Sequence, residues 1–393
     1  MKEKTKLFLG TATLAASLIA LLCSCGGNSN SVSDAVTLNI VDSTEEVSSL
    51  DSYIEDMTAI RLDSKAQIVM PPNKLLIHED ELILLYAGKV SVYGNDGQFI
   101  RNIGRIGNGP GEYLHLQDCC ISLDSKELLC LNHMNEVLRY SLSDGSYVGK
   151  TPTGIAGITA SAIFPDADGG FYLFFANPSE ADLANFEKEF LCLRRLSADG
   201  REIEAMLPRD DFNINMGFAS PSVQLADNGY VLSYRPGSGL AYEFSNGSET
   251  PFADISLGTK GIPAREAVKD GGNPWNMIGD IFMADYYKCP SSVCRTAGTY
   301  YCSAFGKDSS VWNFVLGSSS LRGIRWPSIG DGAQPMHAIA ADKNYLYFCY
   351  AETGAESQDE VSDPLQKAII SRLGLVLGEN DNPAIIKVKF KKL

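Results

Sequence analysis

Chemistry on this chain would have to come from a small set of residues. The densest run of suitable types is Gly104-Arg105-Ile106-Gly107-Asn108-Gly109-Pro110-Gly111-Glu112-Tyr113, continued at once by Leu114-His115. Glycines so placed let backbone amides approach a bound anion, which is the chemistry of a phosphate cradle. Such a cradle also needs a helix N-terminus directly behind it, and the residues after His115 form another strand pattern instead. The loop therefore reads as a sharp crossing between strands, and nucleotide binding is not expected. Four histidines (His78, His115, His133, His337) are scattered, with no pair at the i, i+4 spacing of helical metal ligation. No Gly-x-Ser-x-Gly elbow is present. The acidic pair Asp210-Asp211 would serve glycoside hydrolysis only if two carboxyls faced each other across a sugar, and chain neighbours usually point apart. No catalytic residue, metal ligand or cofactor is assigned from these patterns.

The elements that must position these residues are short strands. Turn signals recur in two interleaved series. One contains Asn95-Asp96-Gly97, Ser143-Asp144-Gly145, Ala198-Asp199-Gly200 and Ser245-Asn246-Gly247, about 50 residues apart. The other contains Glu79-Asp80, Asp124-Ser125, Asp168-Gly169, Asp227-Asn228-Gly229 and Asp342-Lys343. Between the turns lie runs such as Leu82–Tyr86, Glu127–Leu131, Gly170–Phe175 and Tyr300–Ala304, rich in β-branched, aromatic and aliphatic residues. Four such strands per period of 45–55 residues make a propeller blade. The expected fold is all-β: a six-bladed β-propeller of four-stranded antiparallel blades. A disguised fifth repeat runs Asp280–Ala284, Tyr300–Ala304, Val311–Leu316 and Leu321–Arg325. The sixth has Met336–Ala340, Tyr345–Tyr350 and Ala384–Phe390, with a helix-like Leu365–Leu373 between, and then runs out of chain. Thr58–Leu62 is expected to supply its missing strand and close the ring, while Leu38–Val41 is either a further edge strand or part of the tether.

The N-terminus is of another kind. Lys2, Lys4 and Lys6 precede an uncharged apolar run, Leu7 to Leu22, too short for a membrane span. Its end, Leu22-Cys23-Ser24-Cys25-Gly26, looks like a bacterial lipobox, and that likeness implies cleavage before Cys25 and acylation of its sulfur. The expected organisation is a lipoprotein signal peptide (residues 1–24), a lipidated flexible tether (25–36) and the propeller (37–393). No acidic run comes after Cys25, which favours an outer-membrane lipoprotein facing the periplasm. Cleavage takes the formal charge from −15 to −17 by removing three Lys and one Glu. A field of that sign repels nucleic acid. Export permits disulfides, and Cys289 and Cys294, flanking a Pro-Ser-Ser-Val loop, are the best pairing candidates with Cys302 as competitor. Adjacent Cys119 and Cys120 would face opposite sides of a strand, one in and one out.

The run Val90–Tyr113, a strand-Asn-Asp-Gly-strand unit closed by Gly-x-Gly-Pro-Gly-Glu-Tyr, resembles the six-bladed β-propeller lipoproteins abundant in gut-type Gram-negative anaerobes, relatives of NHL-repeat propellers. Ile60-Arg61-Leu62-Asp63 and Ile386–Phe390 fit the resemblance more loosely, and Gly258–Arg295 departs from it. The resemblance implies a propeller on a lipid anchor and supplies no catalytic residues. Propellers bind at the ends of the central channel, through the loops between blades and between second and third strands. On that rim the candidate ligand-binding residues are Arg105, Glu112, Tyr113, His133, Arg235, Trp275 and Trp326, with His115, Glu136, Asp210, Asp211 and Arg265 near them. Arg105 and Glu112 can equally pair within their own loop. Trp275 and Trp326 suit stacking on a sugar. The expected role is binding of a glycan, a peptide or an envelope protein, with the bilayer as a second partner through acylated Cys25. The alternative is a metal-dependent hydrolase or lyase of the NHL-like propeller type, with Ca or Zn in the channel.

Overall fold

Short apolar runs that stop at Asp-Gly and Asn-Gly turns have one economical arrangement, an up-and-down meander, and the chain repeats it six times. The computed structural model describes residues 35–393 except 69, 73, 177–189, 209–222, 227–228, 234–239, 246–247, 262–286, 307–309, 329–334 and 353–360. From the axis outward, blade 1 is Lys74–His78, Glu81–Tyr86, Lys89–Gly94 and Phe99–Ile103. Blade 2 is Leu116–Ile121, Glu127–Asn132, Glu136–Ser141 and Tyr147–Pro152. Blade 3 is Ala162–Pro165, Phe171–Phe174, Leu191–Leu196 and Glu202–Pro208. Blade 4 is Val223–Ala226, Gly229–Ser233, Leu240–Ser245 and Ser248–Ser256, and blade 5 is Lys288–Arg295, Thr299–Phe305, Val311–Gly317 and Gly323–Ser328. Blade 6 is Ala338–Ala341, Leu346–Tyr350, Ala384–Phe390 and, from the far end of the chain, Ile54–Arg61.

The ring closes as the sequence suggests: Ile54–Arg61 pairs antiparallel with Ala384–Phe390. Ahead of it the chain does more than a tether would. Val36–Asn39 adds a fifth, parallel strand to the outer edge of blade 4, and Thr44–Glu46 does the same for blade 5. Leu38, Ile40 and Leu50 of this strap are fully buried. The Leu38–Val41 question is thus decided for an edge strand, and Thr44–Glu46 is a strand that the sequence does not announce.

The turns do a second job. Gly97 has φ +84°, and a Cβ there would sit 1.9 Å from the Arg61 carbonyl oxygen of the preceding blade. The Asp63 amide in turn donates to the Gly97 carbonyl at 2.8 Å. Gly200 repeats the contact two blades on, with φ +85° and the Pro152 oxygen 2.2 Å from the same virtual position. These two hairpin tips therefore sit against the ends of their neighbours' outer strands, so the blades are clasped there at the rim as well as packed through their faces.

Blade 5 departs from expectation. Its inner strand is Lys288–Arg295, whereas Asp280–Ala284 lies outside the described residues. The supposed loop between Cys289 and Cys294 is part of this strand, with two register shifts against Thr299–Phe305. Cysteines five residues apart on extended chain, which rises about 3.3 Å per residue, are too distant for a disulfide. Cys294 and Cys302 are accordingly free and buried. Cys119 and Cys120 are both wholly buried, not one in and one out. An inner strand is covered on both faces by the adjoining blades, so its alternation no longer separates core from solvent.

Candidate functional site

Strand direction divides the connections between two faces. On one face, first and second strands and third and fourth strands join through turns such as His78–Glu81, Ile121–Glu127 and Leu196–Glu202, with five residues or fewer between strands. The other face receives the second-to-third connections and the crossings between blades. There the chain runs from Phe174 to Leu191, Pro208 to Val223, Ser256 to Lys288 and Tyr350 to Ala384 between strands. The longer connections, counted in residues between strands, thus open on this second face, and among the described candidates Arg105, Glu112, Tyr113 and His133 belong to connections on it.

The glycine-rich crossing from blade 1 to blade 2 is built around a carboxylate. The Glu112 side chain accepts from the Gly109 amide at 2.8 Å and from Arg105 Nε. The Gly109 amide first, and the Arg105 guanidinium second, hold its carboxyl below the usual carboxylate range. The Gly107 amide donates to the Tyr113 carbonyl at 3.0 Å, and the Tyr113 hydroxyl donates to the Ile103 carbonyl at 2.9 Å. Tyr113 is buried, and burial pushes its phenol up. The loop's amides and its acid thus satisfy one another. Glu112 and Tyr113 hold the crossing together, while Arg105, 81% exposed at its side chain, is the part that meets solvent. Beside it Ile106 and Leu114 are each 55% exposed.

Across blade 2 the same face is shaped by a residue that the sequence does not single out. Asn135 is 2% exposed with φ +57°, a conformation that asparagine tolerates better than most residues. Its side chain donates to the Ile158 carbonyl at 2.6 Å and accepts from the Ala160 amide at 2.7 Å, so it fastens the crossing to blade 3. The turn it stabilises lifts His133 and Met134 into solvent, Met134 being 63% exposed. Glu136 accepts from Lys150 Nζ at 2.6 Å and from Asn132, and is engaged within the blade.

Trp326 corrects the expectation. It is 0% exposed and packs at 5.9 Å between ring centroids against Phe390. The outer strand of blade 5 continues through Ser328, so Trp326 joins Ile324 on the buried face and cannot stack on a ligand. Arg235, Trp275, Asp210, Asp211, Arg265 and the acylation candidate Cys25 lie outside the described residues.

The axis holds a buried ion pair. Lys74, at the head of the innermost strand of blade 1, donates to both carboxylate oxygens of Asp118 on blade 2, at 2.7 and 2.9 Å. Asp118 also accepts from the Ile163 amide of blade 3 at 2.9 Å, and Lys74 Nζ lies 5.8 Å from the centre of the Tyr230 ring of blade 4. Burial pushes the Asp118 carboxyl up against the opposing pull of Lys74. The inner strands of the opposed blades 1 and 4 also touch across the axis. Among the described residues no three or more His, Cys, Asp or Glu side chains are grouped so that they could hold a metal ion.

Comparison with known proteins gives family and fold. A family profile described as "Domain of unknown function (DUF4934)" matches residues 35–389. The crystal structure of a protein from Bacteroides fragilis NCTC 9343, provisionally described as exported, is 16% identical, covers 89% of this chain and 99% of its own, and superimposes with a TM-score of 0.69. A catalytically inactive virginiamycin B lyase from Staphylococcus aureus is 11% identical over 84% of this chain and 99% of its own, with a TM-score of 0.42. A protein of unknown function from Bacteroides caccae is 11% identical over 65% and 81%, with a TM-score of 0.36. Among curated proteins none is significantly similar.

Proposed function

Since the chain belongs to the DUF4934 family over residues 35–389, we propose that it is an envelope-located, lipid-anchored propeller that works as a binding module for a glycan, a peptide or a partner protein. The observation that carries this reading is the asymmetry between the two faces. One is finished with short turns; the other carries the long connections and the exposed apolar residues Ile106, Leu114 and Met134. Rigid scaffolds that gather their longer connections on one side suit recognition. Export is supported by the N-terminal pattern and by the description of the Bacteroides fragilis protein of the same fold. Acylation at Cys25 rests on the Leu22-Cys23-Ser24-Cys25 run.

The test uses soluble protein from about Ser31 onward, screened against glycan arrays and solubilised envelope extract. Saturable capture is expected, weakened at least tenfold when Ile106, Leu114 and Met134 are replaced by Glu and unchanged by Ile203→Glu on the outer strand of blade 3. Capture indifferent to both sets would overturn the assignment of the face, and substrate turnover by the purified protein would overturn the binding role. For the anchor, Cys25→Ala should abolish incorporation of labelled palmitate and release the protein from membranes.

A further inference from the structure

The strand register decides which of the described cysteines can meet. Cys120 stands opposite Leu129, Cys294 opposite Tyr301, Cys302 opposite Phe314 and Cys349 opposite Ile385. Cys192 lies opposite Phe175, whose amide donates to its carbonyl at 2.8 Å. Cys119 and Cys130 are different: they oppose each other on the first and second strands of blade 2. Both are free thiols in this structure, and both are 0% exposed.

In an antiparallel pair, opposed residues alternate between a wide position that exchanges hydrogen bonds and a narrow one that does not. The bonds at the end of blade 2 fix the phase of that alternation. The Ser122 amide donates to the Glu127 carbonyl at 2.8 Å, so odd-numbered residues of the second strand bond to the first. The Leu142 amide donates to the Lys126 carbonyl at 2.9 Å, so even-numbered ones bond to the third. The register runs without a shift from Asp118 to Ile121, and Cys130 is even, so its position opposite Cys119 is the narrow kind. Cα atoms in a narrow position are about 4.5 Å apart, within the span of about 4.4–6.8 Å that a disulfide bridges. Opposed residues also project to the same face of the sheet, which puts both sulfurs on one side of the blade.

We propose that Cys119 and Cys130 are a cross-linking site: a disulfide between them, made by exchange with a disulfide-bearing oxidant, staples the two innermost strands of blade 2. One cysteine thiolate attacks the oxidant's disulfide, whose S–S bond breaks and whose first sulfur leaves. The second thiolate attacks the mixed disulfide, forms the Cys119–Cys130 S–S bond and expels the other sulfur. Two electrons pass to the oxidant, and its two sulfurs take up the two thiol protons. Burial pushes both thiols up, Cys119 to about 12, so the closed fold does not supply the thiolate. The exchange therefore belongs to folding, before the neighbouring blades close over blade 2. An oxidising compartment provides for it; that part rests on the envelope location proposed above, whereas the cross-link rests on the register. Asp118, directly before Cys119, is the acid of the axial ion pair, so the staple fixes the strand that carries it.

The test produces the chain from Ser31 onward in a bacterial periplasm, behind a heterologous secretion leader, and in the cytoplasm without one, so the result does not depend on the anchor. Each product is alkylated in denaturant without reductant and digested with trypsin. The periplasmic protein is expected to yield peptides Ile106–Lys126 and Glu127–Arg139 joined, lighter by two hydrogens than their sum and separated by reductant. The cytoplasmic protein should yield both alkylated, and still do so after incubation of the folded form with oxidised glutathione. Cys119→Ala and Cys130→Ala should each abolish the joined pair, and Cys120→Ala should leave it. The urea midpoint of the periplasmic protein should fall on reduction, and that of Cys130→Ala should not respond. Alkylated Cys119 and Cys130 in the folded periplasmic protein, or a joined pair that survives Cys119→Ala, would overturn the proposal. Ready oxidation of the folded cytoplasmic protein would overturn the assignment of the reaction to folding.

Discussion

Lys74 and Asp118 show most clearly what one residue does here. Each is nearly inaccessible, and each satisfies the other across the seam between two blades. Removing one member leaves the other charged and unpaired in the core, at about 3–5 kcal/mol. Urea denaturation should therefore show Lys74→Met and Asp118→Ala each destabilised on that scale. The double variant Lys74→Met/Asp118→Leu should recover much of the loss, short of full recovery because the Ile163 amide loses its acceptor. Losses in the double variant equal to the sum of the singles would show that the two residues act independently. Nothing in the sequence pairs residues 44 positions apart, so this seam was not legible there. Trp326 was misplaced for a different reason. Reading the strand as ending at Arg325 puts the tryptophan on the rim, whereas Ile324, Trp326 and Ser328 alternate inward with Gly323, Arg325 and Pro327 between them. A boundary wrong by three residues moved an aromatic from core to surface. The Arg105–Glu112 pair, by contrast, could be seen in advance, since both partners lie within one short loop.

At the scale of elements, the Asp-Gly and Asn-Gly signals found the hairpins because φ > 0 has few residues that satisfy it. They could not reveal that hairpin tips clasp the preceding blade, which depends on what lies beyond the turn. That clasp is testable. Gly97→Ala must both hold a left-handed backbone and displace the Arg61 carbonyl, so thermal or urea melts should register a loss of about 2 kcal/mol or more. Gly149→Ala, where nothing lies within 4 Å of the added carbon, should stay within about 0.5 kcal/mol. Equal effects at the two positions would remove the clasp as an explanation. The helix Pro364–Leu373 offers a second test. Its N-cap, Asp363, accepts from the Leu365 amide at 2.7 Å and from Ser328 Oγ at 2.6 Å, yet burial raises its carboxyl to about 6. Between its ordinary value near 4 and about 6 the folded state keeps a proton that the unfolded state has released. Stability must therefore fall as pH rises through that window and level off above it. The difference in melting temperature, wild type minus Asp363→Asn, should thus shrink or reverse between pH 4 and pH 6.5. A difference independent of pH would mean that Asp363 is ionised throughout.

At the scale of the molecule, the repeat period and the missing sixth-blade strand were enough to derive a closed ring, because a propeller left open would expose a strand edge. The strap was only half legible. Val36–Asn39 has an apolar alternation, but Thr44–Glu46 is three residues with two exposed glutamates, and no pattern marks it as a strand. Its role comes from position. Between Val36 and Arg61 the chain covers the outer edges of blades 4 and 5 and then becomes the outer strand of blade 6, so three consecutive blades are stitched by one segment. Burying Leu38, Ile40 and Leu50 contributes about 1.5–3 kcal/mol for each side chain, a large sum against the marginal stability of a folded domain. A chain beginning at Val36 should then melt as one beginning at Ser31 does. One beginning at Ser48, which keeps Ile54–Arg61 but lacks both parallel strands, should melt at least about 5 °C lower. It should also tend to self-associate through the uncovered edges of blades 4 and 5. One beginning at Leu62 loses the closing strand and should fail to give a cooperative transition at all. If the Ser48 form melts like the Val36 form and stays monomeric, the strap is ornament on a ring that Ile54–Arg61 already secures. If it behaves as argued, the stability of the ring is set in the stretch of chain that leads into the first blade.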